Sequence, residues 1–191
     1  MPSMIKHLEE FDKYLAITAY KGVKITNVEN FIQNVRKNVE DAIIQFFDAK
    51  FIAGWEHLYF AVLNALAAFE NNFNISRNLA VEILLYAAAE RQIRNAVELI
   101  GIKEGTRNVA IVVLAESEEK VVASLDKLSA FIQAVEDESL LEIDDEKFKA
   151  LRRLFNVSDL ELEAKLEKEG LEKEALKDLI IERVALLVTR R

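Results

Sequence analysis

Strict alternation opens the readable part of the chain. Tyr14 to Tyr20 sets Leu15, Ile17 and Ala19 against Ala16, Thr18 and Tyr20, the period-two pattern of a strand. Lys21-Gly22 reads as a turn into a short second strand, Val23 to Thr26. Thr26-x-x-Glu29 has the form of a capping box, and Val28, Phe31, Ile32 and Val35 share one face of a helix predicted from about Asn27 to Asn38. Ala42 to Phe47 (AIIQFF) is short and β-branched, hence another strand. Met4 to Phe11 fits a helix or a first strand equally.

Phe51 to Asn72 is apolar nearly all round, which predicts a helix buried on most sides. Asn74-Ile75-Ser76 is expected to cap the next helix. Apolar residues at helical spacing carry that helix from Asn78 to Ile102, with Gly101 as its stop. NVAIVVLA (Asn108 to Ala115) reads as a fully buried strand, and Ser117 opens a helix with Glu118 and Glu119 in its first turn. Further on, Asp144 or Asp145 opens a helix to about Phe155. Ser158-x-x-Glu161 is a second capping box, opening a helix that runs to Gly170. A last helix from Leu171 to about Thr189 carries Leu176, Leu179, Ile180, Val184 and Leu187 in a stripe, with Arg190 and Arg191 at its end. The fold class expected is α+β (mixed): a small, mostly antiparallel β-sheet packed with several helices, and a helical C-terminal third. At 191 residues a single domain, 1–191, is expected, with 136–191 as its acidic helical part.

Composition removes most chemistries. Without cysteine there is no disulfide framework, thiolate zinc site or cysteine nucleophile. His7 and His57 are the two histidines, and neither has a companion at ligand spacing, so no metal site is expected. Gly101 to Thr106 (GIKEGT) lacks the terminal Gly-Lys-Ser/Thr of a phosphate loop. No catalytic residues and no cofactor are expected. The longest apolar run, Leu58 to Phe69, is interrupted by Asn64 and too short for a membrane span. With no export signal at the start, a cytoplasmic protein is the expectation.

The net charge of −8 argues against a broad phosphate-tracking groove. It is local, however: residues 135–175 hold 14 acids and 7 bases, leaving 18 bases against 19 acids elsewhere. A small nucleic-acid contact outside that stretch stays open. Polar residues in apolar surroundings draw attention next. His57 and Asn64, seven apart, share a helix face with Ala61, Ala65 and Ala68. Glu82 is a lone acid among Leu79, Ala80, Val81, Ile83, Leu84 and Leu85, and if buried it needs a partner such as His57 or Arg77. On an unbroken helix Arg91 falls opposite Glu82, so the two serve different faces or the helix breaks near Glu90. Glu90 and Arg94 have the spacing of a surface pair.

IAGWEHLYFAVLNALAAF, then NIS, then EILLYAAAERQIRNAVELIGI and a buried strand, resembles the TPRKB (PRPK-binding protein) family. The likeness runs from about Tyr14 to the closing ERVALLVT. It is sharpest in the His57 helix and in Glu82-Ile83-Leu84 followed by Arg91-Gln92-Ile93, which gives the chain an archaeal cast. Glu90 departs from the pattern, standing where related sequences often carry a neutral or basic residue. The resemblance implies a non-catalytic subunit of the KEOPS complex, which makes threonylcarbamoyladenosine in tRNA. Its implied partners are a small atypical RIO-like kinase/ATPase, which it binds and stimulates, through that kinase an ASKHA-fold threonylcarbamoyl transferase, and the single-stranded CCA 3′ end of tRNA. Ser76, Arg77, Arg91, Gln92 and Ile93 become candidates for the RNA end, and His57, Asn64 and Glu82 for supporting a pocket. Arg91 suits a phosphate or a base face, Gln92 a base edge, and Ser76 with free amides at its helix start a phosphate or a ribose hydroxyl. Ile181, Val184, Leu186 and Leu187 are candidates for the kinase surface. The other reading is a helical protein–protein adaptor without RNA binding. An enzyme built on Glu82 and Arg91 lacks a nucleophile, metal set or phosphate loop.

Overall fold

The structure is a computed structural model, and it describes residues 5–166 and 168–189. Five strands form one sheet: β1 (Ile5–Leu8), β2 (Lys13–Lys21), β3 (Ile43–Asp48), β4 (Asn108–Ala115) and β5 (Val135–Glu136). Their order is β1-β2-β4-β3, with β5 also on β2, and every pairing is antiparallel. Eight α-helices are described: α1 (Val28–Asn38), α2 (Trp55–Glu70), α3 (Leu79–Ala88), α4 (Ile93–Ile100), α5 (Glu118–Ile132), α6 (Asp145–Leu154), α7 (Asp159–Lys165) and α8 (Glu172–Ala185). The α+β class is as expected.

The described residues group into two compact units. The first takes those up to 49 together with 101–140, and contains the sheet, α1 and α5. Its core is built by period two. Ala16 and Tyr20 of β2 join Val109, Ile111 and Val113 of β4 and Phe46 of β3, and onto them pack Phe31 and Val35 of α1 and Val121 and Leu128 of α5. β4 is buried from Val109 to Ala115, as its unbroken apolar run requires.

The second unit takes 50–100 together with 141 onward and is helical. α2 packs against both α3 and α8, so its apolar circumference is used on more than one side. Leu151 and Phe155, with Leu162, Leu176, Leu179 and Ile180, form a further cluster between α6, α7 and α8. No helix among the described residues is long and apolar enough to cross a membrane.

Several elements differ from expectation. Val23 to Thr26 is no strand: Gly22, at φ +85°, turns the chain out of the ladder, and the amides of Gly22 and Val23 both donate to the Arg107 carbonyl at 2.9 Å. Asn27, not Thr26, caps α1, its Oδ1 accepting from the Asn30 amide at 2.8 Å, which leaves Glu29 one position short of a capping box. The apolar helix starts at Trp55, because Gly54 takes φ +101° just before it. The helix after Ser158 ends at Lys165, where Leu166 turns extended and packs on the helical core. Met4 to Phe11 resolves, from Ile5 onward, into β1 and a 3-10 turn. Arg190 and Arg191 lie outside the described residues.

Candidate functional site

The expected helix from Asn78 to Ile102 is two helices. α3 ends at Ala88, Ala89 takes φ +50°, and α4 begins at Ile93. Of the two alternatives open in the sequence, the break near Glu90 is the one observed. Arg91, Gln92 and Ile93 occupy this junction on the surface, Ile93 with 47% of its area exposed. Arg94 continues the exposed set, but its Nε donates to Glu98 Oε1 at 3.1 Å and not to Glu90. Glu90 turns back on the chain instead. Its Oε1 accepts from the Arg91 amide at 2.8 Å and the Gln92 amide at 3.0 Å.

The opposite end of α3 is organised by Glu82. This fully buried side chain accepts from the Ile75 amide at 3.1 Å and the Ser76 amide at 2.7 Å. Its partners are therefore backbone amides of the preceding loop, not His57 or Arg77. Two uses expected of Ser76 change accordingly. Asn78 caps α3, accepting from the Val81 amide, and Ser76 Oγ accepts from the Asn78 amide at 3.1 Å. Four amides at this end, those of Ile75, Ser76, Asn78 and Val81, are thus taken by a carboxylate and two neutral oxygens of the chain itself. Arg77 is exposed at this end. Ten residues of helix separate it from the Arg91 junction, about 15 Å by helical rise. The two arginines thus stand at opposite ends of α3.

His57 is buried and connects elements distant in sequence. Its Nδ1 accepts from the Ala53 amide at 3.0 Å, which leaves the proton on Nε2 to donate to the Ala87 carbonyl at 2.8 Å. Burial lowers its pKa to about 4, with the Lys147 charge acting in the same direction, so the ring is neutral near pH 7. Phe155 meets it edge-on. Asn64 is half-buried and donates to the Phe60 carbonyl of its own helix. Ala61, Ala65 and Ala68 are buried among them, so this small face receives protein.

On α8 the expected partner surface divides. Val184 and Leu187 are buried, because the stripe that carries them faces the helical core, whereas Leu186 is 51% and Val188 46% exposed. Ile181 is half-buried. Val188 adds a second exposed apolar side chain, on a 3-10 turn over Leu186–Thr189. Among the described residues no group of three or more His, Cys, Asp or Glu side chains could hold a metal ion. The role of Glu90 was also missed. Its one signal in the sequence was that it stands where the resemblance favours a neutral or basic residue.

The family described as kinase binding protein CGI-121 matches residues 20–187. The regulatory protein Cgi121 of Methanocaldococcus jannaschii is 28% identical over 137 residues, covering 72% of this chain and 83% of that protein.

Proposed function

The chain belongs to the kinase binding protein CGI-121 family, and from that premise we propose that it is a non-catalytic regulatory subunit that binds a protein kinase. The match across residues 20–187 carries this reading. The contact surface we assign is the end of α8 and the turn after it, where Leu186 and Val188 present apolar area and Ile181 is half-buried. Leu186→Glu, folded as judged by its melting curve, is expected to lose co-purification with the kinase. Retention of the kinase by that variant removes this surface.

The finer reading is that the kinase is the small RIO-like ATPase of the KEOPS complex, acting in the cytoplasm, and that this subunit also captures the single-stranded CCA end of tRNA. What supports the RNA half is the shared exposure of Arg91, Gln92 and Ile93 at one junction. An arginine, an amide side chain and an apolar residue suit unstacked bases, which are read by stacking and by their edges. Ser76 serves by holding the Asn74–Asn78 loop in shape, and Arg77 is a separate cation at the far end of α3. With Arg94 paired to Glu98 and Arg91 left as the junction's arginine for phosphate, the dependence of affinity on salt should be shallow, with a log–log slope of about −0.7. A CCA-ended oligonucleotide is expected to bind, with loss on trimming the end and on Arg91→Glu. Equal binding by the folded Arg91→Glu protein favours the adaptor reading, in which no RNA is held.

A further inference from the structure

In an uninterrupted helix the Arg91 amide would donate to the Ala87 carbonyl, four residues back. Here the two groups are parted, and each is given a side chain in place of the other. His57 Nε2 donates to the Ala87 carbonyl at 2.8 Å, and Glu90 Oε1 accepts from the Arg91 amide at 2.8 Å. The same carboxylate oxygen takes the Gln92 amide, which a continuous helix would have given to Ala88. His57 and Glu90 thus replace both halves of a missing backbone hydrogen bond.

Local preference does not ask for this break. Ala88, Ala89, Glu90, Arg91 and Gln92 are all strong helix formers, with no Gly or Pro among them. Ala89 moreover holds φ +50°, which is unfavourable for a residue with a Cβ. What a straight helix would do is bury the polar pair. Arg91 would share a face with Leu84 and Ala87, and Gln92 one with Leu85 and Ala88, all four of them buried. The break turns both side chains out to solvent, and strained backbone held from outside is typical of sites that present residues to a ligand.

We propose that His57 and Glu90 are positioning residues that split one helix into two and so display Arg91, Gln92 and Ile93 as a preformed turn for a ligand. The ligand half rests on the RNA-contact reading above, and the backbone half stands without it. His57 is sealed inside and the Glu90 carboxylate is turned onto the Arg91 and Gln92 amides, so each acts through the turn.

Glu90→Ala separates positioning from simple charge. Loss of a negative charge beside Arg91 would by itself tighten RNA, whereas loss of the amide acceptor would weaken it. Positioning predicts that amide hydrogen exchange at Arg91 and Gln92 speeds up about tenfold, and affinity for a CCA-ended oligonucleotide falls about fivefold, with the denaturation midpoint little changed. Glu90→Gln keeps an acceptor and should restore both. His57→Gln can still donate to Ala87 and should retain the turn, whereas His57→Leu should not. Unchanged exchange in Glu90→Ala overturns the proposal. Faster exchange with equal or tighter binding overturns its ligand half. If the parent protein binds no oligonucleotide, the RNA reading fails and the exchange data alone decide whether the turn is held as described.

Discussion

Two helix starts in the helical unit reach the same end by opposite means. At α7 both capping partners are local, although Arg183 also reaches Glu161 from α8 at 2.8 Å. Ser158 Oγ accepts from the Glu161 amide at 3.2 Å, and Glu161 Oε2 accepts from the Ser158 amide at 2.8 Å, closing the reciprocal box within three residues. The junction leading into α4 has a local half in Glu90 and a distant half in His57, which reaches Ala87 from 30 residues away. The first is a motif that any chain could carry, and the second exists only when α2 and α3 are already packed. The lesson is that a helix boundary written in neighbouring residues is independent of the fold, while one written across helices is conditional on it.

The largest test of that contrast is His57→Leu. It leaves the Ala53 amide and the Ala87 carbonyl buried without partners, and should destabilise the protein by about 4 kcal/mol in urea denaturation. A loss near 1 kcal/mol would mean that the α3–α4 junction holds without its distant half.

Acid should then attack the two helix starts in different windows. The folded-state pKa of His57, about 4, lies below its ordinary value near 6.5, so between these the unfolded chain binds the extra proton. Stability should therefore fall as pH drops from about 6.5 toward 4, by about 3 kcal/mol in all, and His57→Gln should abolish that slope. Glu161 responds lower. The Ser158 amide, the Ser158 hydroxyl and Arg183 hold its carboxyl down at about 2, so its contribution is intact above its ordinary 4.5 and lost as pH falls toward 2. Denaturation midpoints measured from pH 7 to pH 2, with Glu161→Gln as the companion variant, would resolve the two steps. A single common step would erase the distinction.

Smaller effects sharpen it. Ser158→Ala removes a cap and should cost about 1 kcal/mol, with no change in amide exchange at Arg91. Ala89→Gly should stabilise by about 0.5 kcal/mol, since glycine accepts positive φ freely. The same change at Ala123, exposed in the middle of α5, should destabilise by a similar amount. Opposite signs in thermal melts are the expected result, and equal signs would mean that Ala89 is not strained.

Several elements whose pattern and caps are local were readable in advance, though at α1 and α3 Asn27 and Asn78 cap in place of Thr26 and Ser76. β4 spans the residues expected of it. Ser117 caps α5, Asp144 caps α6 and Ser158 with Glu161 opens α7, all as their spacing indicated. The candidate site was legible only in part. That the chain breaks near Glu90 was one of two options left by the angle between Glu82 and Arg91. What Glu82 holds was read wrongly, because partners in a charged pair are easier to name than amides in an irregular loop. On α8 the apolar stripe was right, but periodicity marks which residues are apolar and not which side a neighbour covers. Val184 and Leu187 therefore turned out inside, and Leu186 and Val188 outside.

The amino-acid order alone determined that the chain carries no cysteine chemistry, that β2 alternates, and that Ser117, Asp144 and Ser158 cap α5, α6 and α7, the last two because alternation and capping depend on residues within about one turn of one another. The packed structure alone decided that a run of excellent helix formers is interrupted at Ala89, that a neutral imidazole takes the carbonyl released there, and that Arg91 and Gln92 face solvent. Those outcomes depend on whether a buried donor finds its acceptor across the helical interior, and such distances come into being only when the helices meet.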